Sequence, residues 1–116
     1  MTIRVKRAYD EVAPDDGCRV LVDRVWPRGI RKEQLRIERW LKGAAPSSEL
    51  RRWFGHDSER WQGFKERYFQ ELDARPDEIA WLLEQAQSNH LTLVFAAKDR
   101  DYNNAVALKE YLDSRV

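Results

Sequence analysis

The chain of 116 residues holds a single cysteine, two histidines, five glycines and four prolines. Cys18 has no internal partner, which excludes a disulfide framework and a fold built for an oxidising compartment. Cys18, His56 and His90 are too few and too scattered for a metal motif, and no cofactor is expected. No apolar run approaches the roughly 20 residues that cross a bilayer, so no membrane partner is expected. Met1 to Lys6 lacks the apolar centre of a signal peptide. Together these absences lead to the expectation of a cytoplasmic protein. Neither sign of charge dominates: 21 Lys and Arg stand against 20 Asp and Glu, for a net charge of +1. The balance removes any general attraction to nucleic acid or to an anionic membrane. Affinity for an anion must then come from a local concentration of Arg and Lys. Gly-x-x-x-x-Gly-Lys-Ser/Thr, Gly-x-Gly-x-x-Gly and Gly-x-Ser-x-Gly are all missing, which removes the common phosphate loop, the dinucleotide fingerprint and the serine hydrolase elbow.

What is present suits one globular domain over residues 1–116, with 42% apolar and 35% charged residues. Ile3 and Val5, with Ala8-Tyr9 as a possible continuation, alternate with Arg4, Lys6 and Arg7 as in a short, half-exposed strand. Asp10 to Gly17 is dense in turn chemistry. Arg19 to Asp23 reads as a strand buried on both faces, because Val20-Leu21-Val22 is unbroken. Pro27 forbids regular structure around Trp26 to Lys32. Glu33 to Lys42 fits a helical turn followed by an extended stretch. Pro46-Ser47-Ser48-Glu49 starts a short helix that ends near Gly55. Asp57 or Ser58 starts a longer one, with Trp61, Phe64, Tyr68 and Leu72 on one face. Pro76 opens a helix with a stripe of Ile79, Leu82, Leu83 and Ala86, for which Asn89 is a left-handed stop. Leu91 to Ala97 is the strongest strand, and Asn103 or Asn104 caps a last helix carrying Ala105, Leu108, Tyr111 and Leu112. A helix between strands favours parallel pairing. The expected fold is α/β: a small, mostly parallel sheet of three or four strands packed by four or five helices.

Two polar clusters follow the two apolar strands. One is Asp23-Arg24-Val25-Trp26-Pro27-Arg28-Gly29, the other Lys98-Asp99-Arg100-Asp101-Tyr102-Asn103-Asn104. If the two strands are parallel neighbours, both clusters emerge at the carboxyl edge of the sheet, where open α/β sheets hold ligands. Arg24 and Arg28 could grip a phosphate or carboxylate through paired N–H donors. The alternative is pairing with Asp23 or another acid. Trp26 could stack on a ligand or pack beside Pro27. Arg51, next to Arg52, and Lys98 would add charge, while Asn103 and Asn104 would cap a helix whose first amides attract anions. Asp23, His56 and Asp99 are the candidates for moving protons. For His56 the plainer alternative is a turn histidine bonded to nearby backbone, and for Asp99 an ion pair. His90 is taken as surface, and Cys18 as a small filler at the far end of its strand.

The strings Leu21 to Gly29, Trp40-Leu41-Lys42, Ala45-Pro46-Ser47, Leu50-Arg51, Trp53 to Asp57, Ala96 to Asp99 and Asn103-Asn104-Ala105 resemble the YeaO-like family. This is a bacterial group within the domain-of-unknown-function 488 proteins. The resemblance spans nearly the whole chain and implies a compact α/β domain with a largely parallel sheet, but no established reaction. Longer relatives carry Cys and His after the last strand. Here Asn103 and Asn104 occupy that region, so cysteine- or metal-based chemistry does not transfer.

The residues support three functional readings. The first is a site for a small anion, phosphate or carboxylate, at the carboxyl ends of the strands. The second is a nucleic-acid-associated regulator using Arg31, Lys32, Arg36 and Arg39. The third is a homodimeric interaction module using exposed Trp40, Trp53 or Trp81.

Overall fold

The computed structural model describes residues 2–116. Four strands form one sheet: β1 (Thr2–Arg7), β2 (Cys18–Leu21), β3 (Arg39–Trp40) and β4 (His90–Phe95). Their spatial order is β1-β4-β2-β3, and every pairing is parallel. The five α-helices are α1 (Lys32–Leu35), α2 (Ser48–Phe54), α3 (Trp61–Asp73), α4 (Pro76–Ser88) and α5 (Asn104–Asp113). The expected α/β architecture is therefore present. The step on which the two polar clusters depend also holds: β2 and β4 are parallel neighbours, with Cys18 opposite Leu91 and Leu21 opposite Val94.

Alternation of side chains along the strands divides the core in two. Ile3, Val20, Val22, Leu91, Leu93 and Phe95 face one side, and α2 to α5 cover them with Leu50, Phe64, Tyr68, Leu82 and Leu108. Leu21 and Val94 face the other side, with Leu35, Trp26, Ile37 and Trp40. That thinner layer also contains a buried polar group. Asp16 accepts from Arg19 Nη1 at 2.7 Å and from Lys6 Nζ at 2.8 Å, while the Thr92 hydroxyl donates to the Asp16 carbonyl. The burial of Val20-Leu21-Val22 on both faces follows directly: alternate residues feed different cores.

Local chemistry sets the element ends. The Ser47 hydroxyl accepts from Leu50 N at the start of α2, and Gly55 closes that helix with φ +53°. Asp57 caps a single 3-10 turn, Ser58–Arg60, that leads into α3. Asn103 caps α5 by accepting from Val106 N. Asn89 departs from expectation. It ends α4 in extended conformation, φ −163° and ψ −166°, because the chain runs straight into β4 and never turns left-handed. His90 is not a surface residue either. It is half-buried, its Nδ1 is enclosed without a hydrogen-bond partner, and its carbonyl lies against Gly17. Trp40, Trp53 and Trp81 are half-buried rather than exposed: Trp40 packs edge-on to Trp26, and Arg67 and Arg39 lie over the rings of Trp53 and Trp81. No described helix is long and apolar enough to cross a membrane.

Candidate functional site

After β2 the chain leads outward to β3, at the sheet edge. After β4 it turns the other way into α5, which packs on β1 and β4. Neighbouring parallel strands whose exits diverge leave a crevice at their carboxyl ends. A cleft of about 610 Å³ lies there. Asp23, Ala96, Ala97, Asn103 and Asn104 line it from the strand exits and the start of α5. Arg24, Val25, Trp26, Pro27 and Arg28 contribute from the loop after β2, and Tyr9 from the end of β1. Ser48, Arg51, Arg52, Phe54 and His56 come from α2 and its exit.

Asp23 ties the crevice together. Its Oδ2 accepts from Ala96 N at 2.9 Å, and its Oδ1 from Asn104 Nδ2 at 3.1 Å. The same Asn104 amide donates to the Val22 carbonyl, and the Trp40 indole donates to the Asp23 carbonyl. Burial pushes the Asp23 carboxyl above its ordinary value, against the pull of the Ala96 amide, the Asn104 side chain and the Arg51 charge. The carboxylate thus joins β2, β4 and α5, with both oxygens engaged.

The arginines behave differently. Arg24 is half-buried and directs Nε to the Pro46 carbonyl at 3.3 Å, while Arg28, Arg51 and Arg52 are exposed. Among the described residues none of the four forms an ion pair, although eight other ion pairs are present. The alternative of Arg24 or Arg28 paired with Asp23 therefore does not occur. Four guanidinium groups share a cleft with one carboxylate, in a chain whose net charge is only +1. The sequence marks Arg52 only as the neighbour of Arg51, on the short α2 whose exit lines the same cleft.

The other candidates separate. His56 lines the cleft in left-handed backbone, φ +57°, with its ring tilted against Phe54 at 6.3 Å. Its ring makes no hydrogen bond among the described residues, so the turn-histidine alternative is not seen. Trp26 lines the cleft and also packs: its indole donates to the Ile30 carbonyl at 2.7 Å. Asn103 is a buried cap that also touches the cleft. Lys98 and Asp99 do not line it. The chain bends at Lys98 directly after Ala97, and neither side chain turns into the crevice at that end of the sheet. Asp99 accepts from the amides of Asp101 and Tyr102, which hold its carboxyl below its ordinary value. It forms a turn, neither lining the cleft nor making the alternative ion pair. The next residue, Arg100, forms that ion pair instead, gripping Asp10 through both terminal nitrogens. Cys18 opens β2 at the far end of the sheet, and burial raises its thiol pKa, as does the nearby charge of Glu38. Among the described residues no cluster of His, Cys, Asp and Glu could hold a metal.

Residues 2–116 match the family model described as the inactive DUF488-N3 subclade. An uncharacterized protein of Mycobacterium tuberculosis is 42% identical over 113 residues, covering 97% of this chain and 95% of its own. The uncharacterized protein YeaO of Escherichia coli is 40% identical over 114 residues, covering 98% and 99%. No solved structure matches the chain significantly.

Proposed function

The chain belongs to the DUF488 family, in its inactive N3 subclade, and we propose that it is a small anion-binding protein whose cleft takes a phosphate or carboxylate group. One observation carries this reading: Arg24, Arg28, Arg51 and Arg52 converge on one crevice and none is matched by an acid among the described residues. Guanidinium groups grip tetrahedral and planar anions through paired donors, and a hydrogen bond to a charged group contributes about 1.5–3 kcal/mol. The reading is binding rather than catalysis. Both oxygens of Asp23 are engaged in holding the strand exits, and Asp99 serves a turn outside the cleft. The description of the subclade as inactive agrees with this. His56 lines the cleft beside Phe54 and is not required to relay protons.

Titration calorimetry and thermal unfolding with inorganic phosphate at low ionic strength test the proposal. At ten times the dissociation constant the anion stabilises the fold by about 1.4 kcal/mol, which raises the melting temperature by roughly 4–6 °C. The double variant Arg28→Gln/Arg51→Gln is expected to lose the shift while melting near the wild type without phosphate. No heat and no shift in the wild type would refute the reading.

A further inference from the structure

We propose that the anion accepted by this cleft carries a flat ring, in the class of nucleoside monophosphates, and that Tyr9 and Tyr102 hold the ring while the arginines hold the phosphate. The inference rests on the anion-binding reading and adds a ligand class to it. Its basis is a separate observation, the distribution of exposed apolar surface. Five large apolar side chains are exposed among the described residues, and three of them, Tyr9, Val25 and Tyr102, line this one cleft. Single exposed apolar residues need no explanation, but several gathered on one concave surface mark a binding site.

Both tyrosines are held in place rather than free. The Tyr9 hydroxyl donates to the Arg28 carbonyl at 2.8 Å, and the Arg7 guanidinium lies 4.9 Å from its ring centroid. Tyr102 meets Trp61 edge-on at 5.4 Å, and its amide is fixed by Asp99 at 3.0 Å. Yet 47% of Tyr9 and 38% of Tyr102 remain open to solvent. A rigid ring with open surface offers a stacking platform with little further loss of side-chain freedom. The cleft, at about 610 Å³, exceeds what a lone phosphate fills and falls within the range of pockets that enclose ligands of drug-like size. Val25 and Phe54 add apolar surface beside the charges, which suits a ligand with one anionic and one ring-bearing end.

The experiment compares adenosine monophosphate, ribose phosphate and inorganic phosphate by calorimetry at one ionic strength. Stacking on an aromatic side chain is expected to make the nucleotide bind roughly tenfold tighter than ribose phosphate. Tyr102→Ala, whose hydroxyl has no partner among the described residues, should erase most of that advantage and leave ribose phosphate affinity unchanged. Arg51→Gln should weaken both ligands alike. Equal affinity for the nucleotide and ribose phosphate in the wild type overturns the ring assignment while leaving the anion site standing. So does an unchanged ratio in both Tyr102→Ala and Tyr9→Leu/Tyr102→Ala, the second of which removes both rings. Failure of all three ligands, inorganic phosphate included, overturns the anion-binding reading as well.

Discussion

Replacing Asp16 with asparagine should cost this protein more stability than any cleft substitution. Asp16 lies on the thinner side of the sheet, at the end of the loop that returns from β1 to β2. Its carboxylate is 2.7 Å from Arg19 Nη1, with both side chains less than 5% exposed, and 2.8 Å from Lys6 Nζ. It also accepts from the Ala13 amide at 3.1 Å. Arg19 has one other acceptor, the Leu35 carbonyl, which takes Nε and Nη2 at 3.1 and 2.9 Å. The substitution Asp16→Asn would preserve the shape but leave the buried guanidinium without a counter-charge. Breaking a buried pair from one side costs about 3–5 kcal/mol. Set against a total stability of about 5–15 kcal/mol, that loss lowers the melting temperature by roughly 10–20 °C. Urea unfolding should show the midpoint falling with the slope unchanged. The pH dependence supplies a second reading. Burial raises the Asp16 carboxyl, but Lys6, the Ala13 amide and Arg19 together draw it below its unfolded value of 3.8. Its stabilisation is therefore complete above that value and fades as pH falls through the lowered folded value. An uncharged amide in its place removes this acid-side slope. A loss under about 1 kcal/mol, the scale of an exposed ion pair, would refute the reasoning.

Three further outcomes are expected. Asp23→Asn removes the cleft's one carboxylate and should tighten phosphate binding about fivefold, from a screened repulsion on the order of 1 kcal/mol, as read by calorimetry. Because burial holds the Asp23 carboxyl above 3.8, the wild type loses stability as pH climbs from 3.8 through the raised value, and the variant should lack that loss in urea titrations across acid pH. Gly17→Ala should destabilise the fold by more than about 1 kcal/mol in urea unfolding, since φ is +67° and the added Cβ would lie 2.3 Å from the His90 carbonyl oxygen. Arg52→Glu, exposed on α2, should leave the melting temperature unchanged or slightly raised and weaken phosphate binding at least tenfold, on the order of 1.4 kcal/mol.

The strands that place the site were legible because their apolar residues are contiguous. Val20-Leu21-Val22 could only be buried on both faces, and Leu91 to Phe95 likewise. Parallel pairing followed from the helix between them. The two-residue β3 was visible only as an extended stretch, since Arg39–Trp40 is too short for any period to emerge. Asn89 misled because an asparagine after a helix suits a left-handed turn as well as an extended exit, and the nearby β4 decides between them. Of the candidate residues, Asp23, Arg24, Trp26, Arg28, Arg51, His56, Asn103 and Asn104 line the cleft. Lys98 and Asp99 do not, because a single bend after Ala97 decides which side chain turns inward, and no residue pattern encodes that. Tyr9 and Tyr102 lie far apart in the chain and come to line one cleft only through the order β1-β4-β2. Tyr9 did carry a usable signal, since it follows the carboxyl end of a strand just as Asp23 does.

The contrast between Asp16 and the cleft arginines separates the two roles that charge serves here. Several charges that tie elements of the fold together have an acidic partner. Arg19 and Lys6 meet Asp16, Arg100 meets Asp10, and Lys65 meets Glu110. With 20 acids among 116 residues, partners are plentiful. Four guanidinium groups gathered in one crevice repel one another, and repulsion of this kind lowers stability. Packing cannot account for the exposed three, Arg28, Arg51 and Arg52, because exposed side chains contribute little to a core. Their convergence follows from topology: two strands that leave the sheet in opposite directions open the crevice, and a short helix between β3 and α3 brings two of the charges to its rim. A cost to stability concentrated where β2 and β4 diverge and open a cleft is the pattern expected of a site whose counter-charge is supplied by a ligand.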